Sequence, residues 1–306
     1  MALSFTTFDV FTQTPFRGNP LAIIRVPSGT QLSQTQKQLI AREFNLSETV
    51  FLHEQTDEDI RARTARVDIF TPYAEIAFAG HPTVGTANFL LHHLRLDSAR
   101  VLATRAGLVP FTEGAAKGAQ IAVAHNVHVH DAPFAETAFG EHPVVSIVNG
   151  MTGIMVRLPD LEALGRQTAN LVGTENTYKA KEKLDEGWRN GPVVSYFYVD
   201  FGNTGTGGAR KLRTRNLGSR EDPATGSAAS GLCAYLSLLD KDEGPLTREY
   251  EVTQGVEMGR RSEIRIRVTL NSARTGIEEI LLSGDAVKVL EGTVPIPSAE
   301  LTLHSE

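Results

Sequence analysis

One short segment of this 306-residue chain occurs twice. Gly80-His81-Pro82-Thr83-Val84-Gly85-Thr86-Ala87 aligns with Glu221-Asp222-Pro223-Ala224-Thr225-Gly226-Ser227-Ala228. Pro82 matches Pro223, Gly85 matches Gly226, Thr86 matches Ser227 and Ala87 matches Ala228, while His81 falls opposite Asp222. The copies lie close to half a chain length apart. A repeat of that period constrains the fold to two similar lobes, each contributing one equivalent turn. The frame is kept while the titratable residue changes, as in a symmetric scaffold that carries an asymmetric active site.

Each copy reads as a tight turn opening a buried helix. Proline is well placed in a first helical turn, where a missing N–H costs nothing. Apolar residues follow at helical spacing: Ala87, Phe89, Leu90 and Leu91 in the first copy, Leu232, Ala234, Tyr235 and Leu238 in the second. The free N–H groups of such helix starts bind anions, aided by the helix dipole. Two of them across a cleft would hold a carboxylate and stabilise charge developing beside it. The alternative is two ordinary helix caps, with Asp222 a plain N-cap.

The length suggests roughly two domains. Hydrophobic content of 41% and charged content of 22% are those of a soluble globular protein. The net charge of −6, with pI near 5.9, and the lack of a basic stripe argue against a nucleic-acid partner. Cys233 is the only cysteine, so no intrachain disulfide forms and an intracellular, cytoplasmic setting is expected. Its position inside the second repeat helix points to a small buried apolar role rather than a nucleophile. The N-terminal Met1-Ala2-Leu3-Ser4-Phe5 shows no basic region leading into an apolar run, so no signal peptide is expected. No stretch approaches the roughly 18 apolar residues of a membrane span.

Along the chain, Phe5 to Phe11 alternates as a strand and Phe16-Arg17-Gly18-Asn19-Pro20 turns it into a second strand, Leu21 to Val26. Ser33 and Gln36 form a capping box for a helix carrying Leu39, Ile40 and Phe44, ended by Asn45. Strands are expected at Glu48 to Leu52 and Ile60 to Thr71, then the first repeat helix from Pro82 to about Leu96. Gly114 to Gly118 reads as a turn. Strands Val144 to Val148 and Thr152 to Leu158 flank an Asn149-Gly150 hairpin turn. A helix begins at Pro159 to Leu164. Val193 to Phe201, Ile264 to Val268 and Val287 to Leu290 are strands. The Gly202 to Gly208 loop lacks a GxGxxG pattern and is not read as a phosphate cradle. Strands dominate, with one central helix per half, so the class is α+β. The seam falls in the Pro- and Gly-dotted stretch from Asp131 to Pro143.

Glu48 lies between a turn and the apolar Val50-Phe51-Leu52. Partial desolvation there would raise its carboxyl pKa toward neutrality and suit general acid–base work; a solvated glutamate at a strand start is the alternative. On a strand His128 and His130 share a face while His125 points away, so the three cannot converge as metal ligands, and no metal site is expected. No HExxH, CxxC or GxSxG occurs.

Five segments in order resemble the PhzF family, the phenazine-biosynthesis-like proteins of the diaminopimelate epimerase fold. They are Phe8-Asp9-Val10-Phe11 with Phe16-Arg17-Gly18-Asn19-Pro20, Asn45-Leu46-Ser47-Glu48-Thr49, Phe78 to Ala87, Glu221 to Ala228, and Gln254-Gly255 through Met258-Gly259-Arg260. The resemblance implies two pseudosymmetric lobes, each a β-barrel-like sheet around a central helix. Residues 1–130 plus 292–306 would form the N-terminal lobe and 131–291 the C-terminal lobe, with an active-site cleft between them. It implies a homodimeric, cofactor-independent isomerase of secondary metabolism, shifting a proton on a small cyclic or amino carboxylate of the dihydro-hydroxyanthranilate kind. Glu48 would shuttle the proton, and His81 and Asp222 would orient and polarise the substrate. Ser47, Gly80, Gly226, Ser227 and Asn19 complete the implied substrate-binding set. The facing thiols of related racemases are excluded, since Cys233 stands alone. Lys211 to Asn216 and Arg261 depart from the family pattern and bear on the substrate pocket.

Overall fold

The structure is a computed structural model that describes residues 2–114, 118–135, 137–173, 183–298 and 301. The chain divides into two compact units, Met1–Ile121 with Ser283–Glu306, and Ala122–Leu282.

In the first unit β1 (Ala2–Val10) pairs antiparallel with β2 (Asn19–Val26), Phe5 opposite Ile24 and Val10 opposite Asn19. Its other edge carries the C-terminal strand, Ala286–Pro295, so the end of the chain completes the sheet begun by its start. β2 continues parallel to β3 (Thr49–His53), which pairs antiparallel with β4 (Thr64–Phe70), and β4 with the two-residue β5 (Glu75–Ile76). β6 (Val101–Thr104) lies parallel to β4 and antiparallel to β7 (Gly107–Glu113). β8 (Ala119–Ala122) follows, antiparallel to β7. The Leu21-Ala22-Ile23-Ile24 run in β2 is buried throughout, as expected of a strand covered on both faces.

Helix α1 (Gln34–Phe44) has the capping box of Ser33 and Gln36, and Asn45 closes it in the left-handed conformation at φ 49°. Its Ile40 and Ala41 pack with Leu3, Ile24, Phe51 and Phe70. The strand expected from Ile60 instead begins at Thr64. Before it stands α2 (Asp57–Ala62), opened by a second capping box, Thr56 with Asp59. Three acidic residues in its first turn favour the positive end of the helix dipole, and this local signal outweighs the alternation that suggested a strand.

Helix α3 (Gly80–Asn88) has all nine residues buried and packs on β1, β2, β3 and the C-terminal strand. Gly85 is what allows the close approach: a Cβ there would lie 2.5 Å from Leu21 Cδ2 and 2.7 Å from Val10 Cγ2. The helix expected to run on to Leu96 widens into a π-helical turn at Phe89–His93. The rings of Phe89 and His93 both meet Phe8 edge-on, at centroid distances of 5.5 and 4.7 Å. Packing of both rings on one phenylalanine accounts for the local change in winding.

In the second unit β9 (His128–Val129) pairs with β10 (Val144–Val148), which forms the expected hairpin with β11 (Met151–Arg157) across Asn149-Gly150. β11 runs parallel to β12 (Val193–Asp200), and β12 antiparallel to β13 (Arg210–Leu217). β13 pairs with the two-residue β14 (Glu221–Asp222) and, in parallel, with β15 (Thr247–Gln254). β15 pairs with β16 (Ser262–Leu270), and β17 (Ile277–Gly284) follows. The short α4 (Leu161–Gly165) is capped by Asp160, and the buried α5 (Gly226–Leu239) packs on β10, β11, β15 and β16. The fold is α+β, with one buried helix against the strands of each unit.

Both repeats form a strand, a tight return, a two-residue strand and then a buried helix. Their helices nevertheless start at different points of the aligned motif. α3 begins at Gly80, so His81 and Pro82 lie in its first turn, whereas α5 begins at Gly226, three residues after Pro223. A residue before proline disfavours helical geometry, and Asp222 obeys that preference in β14. His81 also precedes a proline, and there the burial of the whole of α3 overrides it.

Candidate functional site

The first unit gathers five of the residues singled out in the sequence. Asn19 opens β2 and is buried. Ser47 and Glu48 fill the step between the left-handed Asn45 and β3, and Gly80 and His81 begin α3. Ser47 Oγ donates to Asn19 Oδ1 at 3.3 Å. Glu48 Oε2 lies 3.4 Å from His81 Nδ1, and its side chain is only 17% exposed.

His81 is 4% exposed, and burial pushes its pKa down to about 3, only partly offset by a hydrogen bond to the backbone of Pro20. The ring is therefore neutral at physiological pH, and its contact with Glu48 is not an ion pair. Proline has no N–H, so the Pro20 carbonyl accepts and the ring donates. Among the described residues no partner reaches His81 Nε2, so the donating nitrogen is Nδ1. That assigns the tautomer: a proton on Nδ1 and a buried, unpartnered lone pair on Nε2. The loop leading to Asn19 and Pro20 is held by the buried Asp9, whose Oδ2 accepts from the Phe16 N–H at 2.6 Å.

The second unit gathers the other three. Asp222 ends β14, and Gly226 and Ser227 open α5. Thr225 is the N-cap residue by position, yet its hydroxyl makes no capping bond and donates instead to Asp222 Oδ2 at 2.5 Å. Asp222 is therefore not the N-cap of α5. Ala79, before α3, makes no side-chain cap either. Neither helix is thus capped by the side chain of its own N-cap residue, and an uncapped helix start is where an anion finds backbone donors. The turn carrying Asp222 is held by Arg215, whose Nε and Nη2 each reach a Glu221 carboxylate oxygen at 2.8 Å.

His128, His130 and Asp185 come together although His125 stays apart. Their polar atoms are turned on one another. His128 Nε2 lies 2.7 Å from Asp185 Oδ2, His130 Nε2 lies 2.9 Å from Ser146 Oγ, and the Asp185 N–H donates to His130 Nδ1 at 3.2 Å. Trp188 stacks on His128 at 4.4 Å. This is a hydrogen-bonded hub tying β9 to the segment around Asp185. Cys233 is fully buried and its thiol pKa is pushed up by burial, so it is no nucleophile.

Residues 8–292 match the family model described as phenazine biosynthesis-like protein. The chain belongs to that family. An uncharacterized isomerase of Pasteurella multocida is 33% identical over 95% of this chain and 94% of its own length. The trans-2,3-dihydro-3-hydroxyanthranilate isomerase of Pseudomonas chlororaphis is 30% identical over 95% of this chain and 98% of its own. A PhzF-family phenazine biosynthesis protein of Bacillus anthracis superposes with a TM-score of 0.76 at 22% identity, covering 97% of this chain and all of that one, and so shares the fold. This family member is an isomerase of the PhzF type.

Sequence reasoning missed the groups that hold the site: Asp9, the Pro20 carbonyl, Asn216, Thr225 and Gln254. All but Asn216 lay inside segments that carry the family resemblance, but nothing local to Thr225 and Gln254 shows that they bond to each other.

Proposed function

We propose that this isomerase shifts a proton within a small cyclic or amino carboxylate of the dihydro-hydroxyanthranilate kind. The observation that carries the reading is a neutral His81 whose Nε2 is buried without a partner, beside the largely buried carboxyl of Glu48. Glu48 takes a proton from carbon, and the C–H electrons move into the conjugated system. The same carboxyl returns the proton at the far end of that system. One C–H bond breaks and one forms, so the step balances with no oxidant, reductant or cofactor.

His81 Nε2 accepts a hydrogen from the amine or hydroxyl of the substrate, and Asp222 accepts another. The substrate carboxylate is held by the backbone at Gly80 and Gly226, with Ser47, Ser227 and Asn19 completing the binding set. Support comes from the helix starts that lack side-chain caps, and from relatives named as isomerases of trans-2,3-dihydro-3-hydroxyanthranilate. In the same proposal the enzyme acts in the cytoplasm as a homodimer in secondary metabolism, with neither nucleic acid nor membrane as partner. The net charge of −6 is in keeping with this, and no helix among the described residues is long and apolar enough to cross a membrane.

The test is incubation with trans-2,3-dihydro-3-hydroxyanthranilate in heavy water, read by mass spectrometry for wild type and Glu48→Gln. Product formed by wild type and abolished by Glu48→Gln supports both the reaction and its base. No turnover by wild type overturns the substrate class.

A further inference from the structure

Thr225 Oγ1 is the meeting point of three polar side chains from separate parts of the second unit. It donates to Asp222 Oδ2 at 2.5 Å, and it is reached by Asn216 Nδ2 at 2.7 Å and Gln254 Nε2 at 3.1 Å. The orientation of the Gln254 amide follows from its neighbours. Its Nε2 also lies 2.8 Å from the backbone carbonyl of Asp222, which can only accept. Its Oε1 lies 2.9 Å from the Tyr196 hydroxyl and 3.3 Å from the Thr214 hydroxyl, both able to donate. A flipped amide would set oxygen against oxygen at the Asp222 carbonyl.

With Nε2 facing Thr225, one lone pair of the threonine hydroxyl is taken by an amide N–H, and Asn216 supplies a second. The single hydroxyl hydrogen is then left for the Asp222 carboxylate. Burial raises the Tyr196 pKa far above its ordinary value, so its phenol stays a donor. Tyr196, Thr214 and Gln254 are fully buried and Asn216 is 4% exposed. In this dry network Asn216 Oδ1 lacks a partner among the described residues, so the rigidity rests on Gln254, whose amide is satisfied at both ends. Gly255, next in the chain, makes the approach possible: at φ 74° a Cβ would lie 2.6 Å from the Pro223 carbonyl oxygen.

We propose that Gln254, acting through Thr225, is a positioning residue for Asp222, keeping the threonine hydrogen on the carboxylate and so holding the rotamer in which Asp222 meets the substrate. The proposal rests on the reading of Asp222 as a substrate-contacting group. The amide need not touch the substrate; its effect passes through one hydroxyl.

A double-mutant cycle tests it, with kcat and KM measured separately on trans-2,3-dihydro-3-hydroxyanthranilate. Thr225→Val keeps the shape and removes the hydroxyl, and Gln254→Leu removes the amide. Each is expected to lower kcat about 10–100-fold, the scale of a misplaced catalytic contact, with KM within about threefold. Thr225→Ser restores the hydroxyl and brings kcat back to within about threefold of wild type. In an Asp222→Ala background Thr225→Val adds no further loss, because the group it positions is gone. Thr225→Val sits at a half-buried position, so the cycle stands even where Gln254→Leu does not fold. Full activity of Thr225→Val, or a loss that multiplies undiminished in the Asp222→Ala background, overturns the positioning role and leaves Asp222 in place. Full activity of Asp222→Ala, or a wild type with no turnover, overturns the functional reading, and this inference falls with it.

Discussion

Glu48 Oε2 stands 3.4 Å from Nδ1 of His81, a ring that burial keeps neutral and that the Pro20 carbonyl holds in one tautomer. A carboxyl beside a charged imidazole would be held in its ionised form and would be a poor carrier of a returning proton. Beside a neutral ring, and itself largely buried, it can take a proton and give it back. The pairing comes from three separate segments: the start of β2, the step into β3, and the first turn of α3.

Replacing that carboxyl should show its weight directly. Glu48→Gln keeps the size and removes the exchangeable acid–base group, so kcat should fall by roughly 10²–10⁴, the usual contribution of general acid–base catalysis. Steady-state rates on trans-2,3-dihydro-3-hydroxyanthranilate decide it, with an unchanged unfolding midpoint showing that the loss is chemical. Near-normal turnover would remove Glu48 from the mechanism.

The buried ring should also leave a mark on stability. In the unfolded chain a histidine takes a proton near pH 6.5, whereas His81 in the folded state does so only at about 3. Between those values the unfolded state binds the extra proton, so stability falls as pH falls through that window. His81→Gln abolishes this contribution. The urea midpoint of the variant should decline less between pH 6.5 and pH 3 than that of wild type. Parallel declines would mean that His81 titrates normally.

The seat of α3 on β1 and β2 is tight at one atom. Gly85→Ala would drive a methyl against Leu21 Cδ2 and Val10 Cγ2, at 2.5 and 2.7 Å in the unrelaxed structure. Overpacking of this kind costs about 1–3 kcal/mol. Urea unfolding should report that loss, and kcat should drop as well, since the displaced helix carries His81. A fully stable and fully active variant would show that the strands yield at no cost.

Cys233 offers a simple check on the second unit. It is completely buried and burial raises its pKa, so the native thiol should resist an aromatic disulfide reagent at pH 8 and react fully in denaturant. Prompt stoichiometric labelling of the native protein would contradict the packing of α5.

Much of the architecture was legible wherever the signal is local. Ser33 and Gln36 cap α1, and Asn149-Gly150 makes its hairpin, because those bonds join residues a few positions apart. Signals were misread where two local preferences competed. Thr56 and Asp59 cap a helix inside a stretch that alternates like a strand. The π-turn at the end of α3, where two rings meet Phe8 from a remote part of the chain, has no such local signal.

By itself the sequence determined that there are two equivalent buried helices, that a titratable residue introduces each, and that Glu48 sits at a helix-to-strand step. Those features are written in residue order, through periodicity, capping and repetition. Tertiary structure alone decided that the helices start at different points of the repeat, that His81 is neutral with its proton on Nδ1, and that the Thr225 hydroxyl serves Asp222 instead of capping α5. Burial and hydrogen-bond partnership depend on residues remote in the chain, Pro20 for His81 and Gln254 for Thr225. Desolvation is set by everything that packs around a group, and no local window of sequence contains that.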